Sequence, residues 1–454
     1  MRNNLIKDCL AVLSLLSLAA AALPAKPGSD DNNVNSYTPS LKSSRVSNDQ
    51  QYFNGNEWYS AVTNDGQWAS YNGTDGAGGS WPRGSNNSVI YNAGLWIGFT
   101  YDDGTYGMAG VEHGSDFRPG PYGNLDWETN DDYRVYKLNR WDSSTDIDWA
   151  EWPVDLGAPY TDSDLNGSYD PATDQPYIPL DQTLFTVYSD SGEHSQFGGS
   201  PIGAEIRQTI YGGASSTHND LSRTFYVKYE IINRGTHNWN NPRFGIWSDV
   251  DLGYANNDAI GVDIDSNMVY CYTAESESEN DFAGIGPAVG FKYISGLNNL
   301  EDNLSAGGCI GNGCTDPNWN YEYDPPADQN QAYNRMLGLQ NNGAQIIDEN
   351  GSVTTFTTTG DPVTGTGWLE FHLEEKQLFL SSSLSNNNSL VAPGDTVGFV
   401  VAVIIAQGTD NLNSITELRS ASYEAKTLWD NNFAGVTLDN RPIIESSEQD
   451  GLLD

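Results

Sequence analysis

The stretch Asp162-Ser-Asp164-Leu-Asn166-Gly167-Ser168-Tyr-Asp170-Pro-Ala-Thr-Asp174 carries oxygen-bearing side chains at its first, third, fifth and ninth positions and glycine at its sixth. Calcium takes six to eight hard oxygen ligands, so a loop that wraps the ion needs such residues at alternate positions and a glycine where the chain turns sharply. Ser168, at the seventh position, would supply its backbone carbonyl. The closing acid of a helical calcium loop would fall at Thr173. Here Asp174 comes one residue late, and Pro171 and Pro176 oppose a following helix. The spacing therefore predicts a stand-alone Ca²⁺ loop built from Asp162, Asp164, Asn166, Ser168, Asp170 and Asp174. The alternative is an Asx-rich surface turn.

A second acidic group follows at Asp249, Asp251, Asp258 and Asp263. Carboxylates that crowd together repel once they lose water, and a cation removes that cost. The spacing matches no standard loop, so a second calcium site and a solvated set of turns stand level. Catalytic patterns are weak. No zinc-protease histidine pair, nucleophile-elbow serine or phosphate-cradling glycine loop is present, and the five histidines are scattered. Glu205 and Glu230 would serve a glycosidase only if they flank a cleft, and a chain with 61 acidic residues makes some pair inevitable. The chain also holds 13 tryptophans, eight of them between Trp58 and Trp152. Exposed aromatics make sugar-stacking platforms, but large aromatics more often fill cores.

The formal charge is −40 with pI near 4.1. A surface of that sign repels phosphate backbones and anionic lipid, so neither nucleic acid nor a membrane surface is an expected partner. Arg2 and Lys7 precede the apolar run Leu10 to Ala22 and the small residues around Ala25. That layout predicts a secretory signal peptide over residues 1–25, too short in its apolar part to remain as a span. No later stretch approaches the length needed to cross a bilayer. An oxidising destination would let Cys309 and Cys314, which frame Ile-Gly-Asn-Gly, close a small disulfide, leaving Cys271 buried and unpaired.

The elements that must position these residues read as strands. Residues 26–50 are Ser-, Asn- and Asp-rich and predict a disordered leader. From Gln51 onward, short apolar runs alternate with Gly, Asn, Asp and Pro clusters. The clearest strands are Val89 to Thr100, Leu184 to Ser189, Ile206 to Tyr211, Thr224 to Asn233, Met268 to Thr273, Leu378 to Ser382 and Thr396 to Ala406. Alternation of Phe225, Val227, Tyr229 and Ile231 with Tyr226, Lys228 and Glu230 predicts a sheet with one solvated face. The almost wholly apolar Phe399 to Ala406 predicts a central strand covered on both faces. One helix is expected over Ser414 to Asn431, opened by a Ser414/Glu417 capping box. The fold class is all-β: a β-sandwich, either one large or two packed sandwiches, with one C-terminal helix. A partition at residue 180 would give a Trp/Gly-rich region over 51–180 ending in the Asp-rich loop, and a sandwich with the helix over 181–440. An acidic tail follows over 441–454.

Ser80-Trp-Pro-Arg-Gly-Ser85, Ala93-Gly-Leu-Trp-Ile-Gly98, Val154-Asp-Leu-Gly-Ala-Pro159, Gly245-Ile-Trp-Ser-Asp-Val-Asp-Leu-Gly253 and Ala392-Pro-Gly-Asp-Thr396 give the chain a resemblance. From about residue 50 to 435 it resembles uncharacterised secreted β-rich proteins of Bacteroidota and related marine bacteria. Many of those end in a sorting domain for type IX secretion; after Phe433 this chain has only its short acidic tail. The resemblance implies an extracellular location and β-architecture and brings no activity with it. Together these readings favour a secreted or cell-surface, calcium-binding, non-enzymatic structural protein of surface, matrix or filament, with self-association as its mode of partnering. The alternative is a carbohydrate-binding protein or glycoside hydrolase acting on extracellular polysaccharide.

Overall fold

The computed structural model describes residues 49–70, 78–85, 87–275, 281–297, 305–308, 325–370, 373, 376–384 and 390–440. These residues form two nine-stranded antiparallel sheets. In the first, the order runs Gln50–Phe53, Tyr59–Thr63, Gly79–Ser80, Ser88–Thr100, Trp239–Val250, Lys376–Ser383 and Ser305–Gly308. Tyr106–Gly110 adds along Ser88–Thr100, and Leu390–Val391 adds along Trp239–Val250. In the second, Asp258–Asp263, Met268–Thr273, Ala288–Ser295, Thr396–Ala406, Thr224–Asn233, Ala204–Gly212 and Gln182–Ser189 follow in order. Arg118–Pro119 and Tyr136–Asn139 both flank Gln182–Ser189.

The sheets meet face to face over one apolar core, with Trp68 against Phe225 at 5.9 Å and Phe244 against Phe399 at 6.0 Å between ring centres. This is the predicted sandwich, and it is one sandwich. Residue 180 is no boundary, because Ser88–Thr100 pairs directly with Trp239–Val250 and both halves of the chain supply both sheets. The pattern of Thr224–Asn233 holds in register but not in its solvated face. Phe225, Val227, Tyr229 and Ile231 point into the core, while on the other side Tyr226 is fully buried too. The reason is the helix Asn411–Asp430, which lies across that face and accepts a 3.0 Å hydrogen bond from the Tyr226 hydroxyl at the Ala425 carbonyl. Only Lys228 and Glu230 stay half-exposed and pair with each other. Thr396–Ala406 is the expected two-face strand, between the core and the helix.

The helix starts three residues earlier than its spacing predicts. Asp410 is the N-cap, accepting from Asn413 N at 2.8 Å, while Ser414 is buried and donates instead to Gly286 and Asp410 carbonyls. A second helix, Gln329–Met336, was not foreseen. It packs on the outer face of the first sheet, where Gly98 lets it approach: a methyl there would lie 2.6 Å from Met336 Sδ and 2.8 Å from Tyr333 Cδ2. Trp96 lines the same face between Phe197 and Phe379, at 4.7 and 4.8 Å. The tryptophans mostly do core work, with Trp58, Trp68, Trp96, Trp239 and Trp247 fully buried. Among the described helices none is long and apolar enough to cross a membrane.

Candidate metal centre

The Asp-rich loop is an excursion from a two-stranded ribbon. Tyr160–Thr161 pairs with Gln175–Pro176, so the chain enters and leaves residues 162–174 at adjacent points. Its base rests on a small separate core of Tyr136, Leu138, Trp152, Ala158 and Phe185. Tyr169 fastens the loop downward by donating its hydroxyl to the Trp149 carbonyl at 2.7 Å, and the Trp149 indole donates to the Pro171 carbonyl at 3.2 Å. Within the loop, side-chain oxygens turn inward onto backbone N–H groups. Asn166 N donates to both Asp162 and Asp164, Gly167 N to Asp162 at 2.9 Å, and Ser168 N to Asn166 Oδ1 at 2.7 Å. Gly167 sits at φ +79°, the left-handed turn for which glycine is suited, and Leu165 beside it is also left-handed at +60°. The Gly167 N–H is the main reason the Asp162 carboxyl lies below the ordinary aspartate range.

Oxygens of Asp162, Asp164 and Asp174 all lie within 4.8 Å of one another. Calcium–oxygen bonds of about 2.3–2.6 Å let a single ion reach three atoms so placed. Asp174 is 1% exposed and forms the floor, held by Ser163 N at 2.8 Å and Asp170 N at 2.9 Å. Asp170 takes a different part: its Oδ1 accepts from Ala172 N, and its carbonyl from Thr173 N and Asp174 N. The late acid thus stands in the carboxylate group, and the ninth-position acid stands outside it. Asn166 flanks the group with its amide on Asp164 at 2.8 Å, and exposed Ser168 stays in the turn.

The second acidic group is split. Asp249, Asp251 and Asp258 are buried at the end of Trp239–Val250, just after it and at the head of Asp258–Asp263, whereas Asp263, at the other end of that strand, points to the C-terminal helix and binds Arg419 Nε at 3.0 Å. Asp258 accepts from Leu252 N at 3.0 Å. Asp249 faces the His113 ring, Nδ1 to Oδ2 3.7 Å. The tautomer of that ring follows from a chain of donors. Trp247 Nε1 donates to Gln377 Oε1, so Gln377 can only donate to His113 Nε2, which leaves the proton on Nδ1, toward Asp249. Burial also holds His113 below the usual histidine range. Among the described residues, the loop of 162–174 is the only place where three such ligands lie within that reach of one another.

Other expected chemistry resolves into structure. Glu205 pairs with Arg234 at 2.8 Å and Glu230 with Lys228 at 2.8 Å. Cys271 is buried, and burial drives its thiol far above the usual range, so it is inert. Cys309 and Cys314 lie outside the described residues. Sequence reading missed a third cluster, Asp116 with Asp190 and His194, because its members are 74 to 78 positions apart, or inconspicuous, in the chain.

No family model and no curated protein matches this chain. Among solved structures, it is similar to a protein of Escherichia coli K12 provisionally assigned as an aldose 1-epimerase, at 9% identity and TM-score 0.28, over 80% of this chain and 100% of that one. A likeness that loose carries no argument about function.

Proposed function

We propose that this chain is an exported, calcium-binding β-sandwich that serves as a structural component outside the cell. The single observation behind it is the group of three carboxylates inside a loop whose ends are already paired. Asp162, Asp164 and Asp174 would hold the ion, with the Asn166 amide oxygen and the Ser168 carbonyl within the same turn as further oxygens. Ca²⁺ there offsets two of the three neighbouring negative charges and ties the loop to its ribbon. That is a stabilising role, and it asks no reaction of the site.

The test is calorimetric titration of Ca²⁺ into chelated protein, beside melting at high monovalent salt where general screening of the acidic surface is saturated. At free Ca²⁺ 100 times Kd, stability should rise by about 2.7 kcal/mol, and Asp164→Ala should remove most of that response. Mg²⁺ should substitute poorly, since it demands a tighter octahedral shell. A melting point indifferent to calcium and chelator, with no calorimetric site, would sink the proposal. A second reading, binding of extracellular polysaccharide, is supported by one aromatic patch: half-exposed Tyr101 meets exposed His237 edge-on at 5.6 Å, and Tyr101 and half-exposed Tyr122 share the field of Asp190. Glycan-array binding lost in Tyr101→Ala would favour it.

A further inference from the structure

Between Gln182–Ser189 and Ala204–Gly212 of the second sheet the chain leaves its own sheet and crosses to the outer face of the first. This strap, residues 190–203, seats Phe197 on Trp96 at 4.7 Å. The helix Gln329–Met336 then rests on the strap, Gln329 N donating to the Phe197 carbonyl at 3.1 Å. Gly198 and Gly199 follow at φ +68° and +90°, a pair of left-handed residues in which the strap can bend.

The strap is pinned by three side chains that are each more than nine-tenths buried: Asp116 at 2%, Asp190 at 0% and His194 at 8%. Backbone donors fix both carboxylates. Asp190 accepts from Ile202, Gly203 and Ala204, and Asp116 from Gln196 N at 2.9 Å and Gly110 N at 3.2 Å. The His194 ring enters beside them, Nε2 to Asp190 Oδ2 3.3 Å, out of line for a hydrogen bond but close as an ion pair. Two buried carboxylates need a positive partner, and leaving a buried charge uncompensated costs several kcal/mol.

We propose that Asp116, Asp190 and His194 form a proton-operated latch: with the imidazole charged the strap lies closed over Trp96, and loss of that proton opens it. The other charged and titratable groups around it leave this role to His194. Glu193 of the strap is exposed, Arg118 lies against Gly192, Tyr101 and Tyr122 feel the charge of Asp190, and Glu112 feels the charges of both Arg335 and Asp116. Burial alone would lower the His194 pKa; the contact with Asp190 and the field of Asp116 outweigh it and raise it. A raised histidine stabilises the closed strap fully below the ordinary histidine range and loses that contribution as pH rises through the folded-state value. Opening is therefore an alkaline event.

The experiment is limited proteolysis of the full chain with a broad-specificity protease at pH 6.5 and pH 9. Cleavage within 191–203 is read by mass spectrometry and normalised to the exposed turn at 349–351. Wild type should show roughly a tenfold rise in relative strap cleavage for each pH unit by which the folded pKa exceeds the unfolded one. His194→Gln should be cleaved alike at both pH values. An unchanged wild-type ratio, or a wild-type rise retained in His194→Gln, overturns the latch. Should that variant not fold, the histidine NMR titration of wild type decides: a buried ring titrating above the usual range supports the latch, and one that stays neutral throughout refutes it.

Discussion

Lys292 is a buried amine under the C-terminal helix, and replacing it with methionine should make the protein more stable. It is 4% exposed on strand Ala288–Ser295, beside Met268 and Ala402 in register, with its ammonium 5.1 Å from the Tyr423 ring centre. Burial lowers its pKa from 10.5 to about 8, against the opposing field of Asp263. One pKa unit is about 1.4 kcal/mol, so 2.5 units would be about 3.4 kcal/mol of penalty in the charged form. The ammonium lies beside Tyr423, which is 55% exposed, so partial solvation and the cation–π contact reduce this to about 1–2 kcal/mol. Methionine keeps the stem, drops the charge and adapts to the slot. Because the folded pKa is the lower one, the unfolded chain holds more protons between pH 8 and 10.5, and wild-type stability should rise across that window. Below pH 8 the penalty is constant. Urea unfolding of wild type and Lys292→Met at pH 7, 8, 9 and 10 gives the difference directly and cancels the tyrosine titrations common to both. The advantage of the variant should be about 1–2 kcal/mol at pH 7 and shrink toward pH 10. A variant less stable at pH 7, or a gap that does not change with pH, would refute the reasoning.

Glu112 is the acidic counterpart: burial raises its pKa from 4.5 to about 7, so its contribution is present below 4.5 and lost as pH climbs through 7. Glu112→Gln should match wild type near pH 4.5 and exceed it by about 2 kcal/mol at pH 8, read by denaturant unfolding. Gly98→Ala should push the helix Gln329–Met336 off the first sheet and cost about 1–3 kcal/mol, measured as a lowered denaturation midpoint. Cys309 and Cys314 should appear as a cross-linked peptide in mass spectrometry of the unreduced protein; two freely alkylated thiols would refute the bond.

What the sequence made legible follows from where one physical signal dominates. Strands Thr224–Asn233, Met268–Thr273 and Thr396–Ala406 were bounded correctly, because long apolar or alternating runs ended at turn formers leave little competition. The helix Gln329–Met336 escaped because only Ala332, Tyr333 and Met336 of its eight residues are buried, too few to set a period. The cap of the longer helix was misread because Asp410 and Ser414 are both good caps, and only the packing of Ser414 against Gly286 separates them. In the Asp-rich loop the spacing located the carboxylates. Deciding that Asp174 and not Asp170 joins Asp162 and Asp164 needed the ribbon that brings the two ends together.

The middle of the second sheet is made last. Thr396–Ala406 joins Ala288–Ser295 to Thr224–Asn233, so until about residue 406 has been synthesised the sheet is two separated fragments with open edges. The first sheet likewise waits for Lys376–Ser383 to line Trp239–Val250. Contacts this distant in the chain make folding slow. Before then a nascent chain with this strand order can pair only its local hairpins, Gln182–Ser189 through Thr224–Asn233 and Asp258–Asp263 through Ala288–Ser295, on either side of the missing strand. That delay sets a time in which unpaired edges must be shielded from one another.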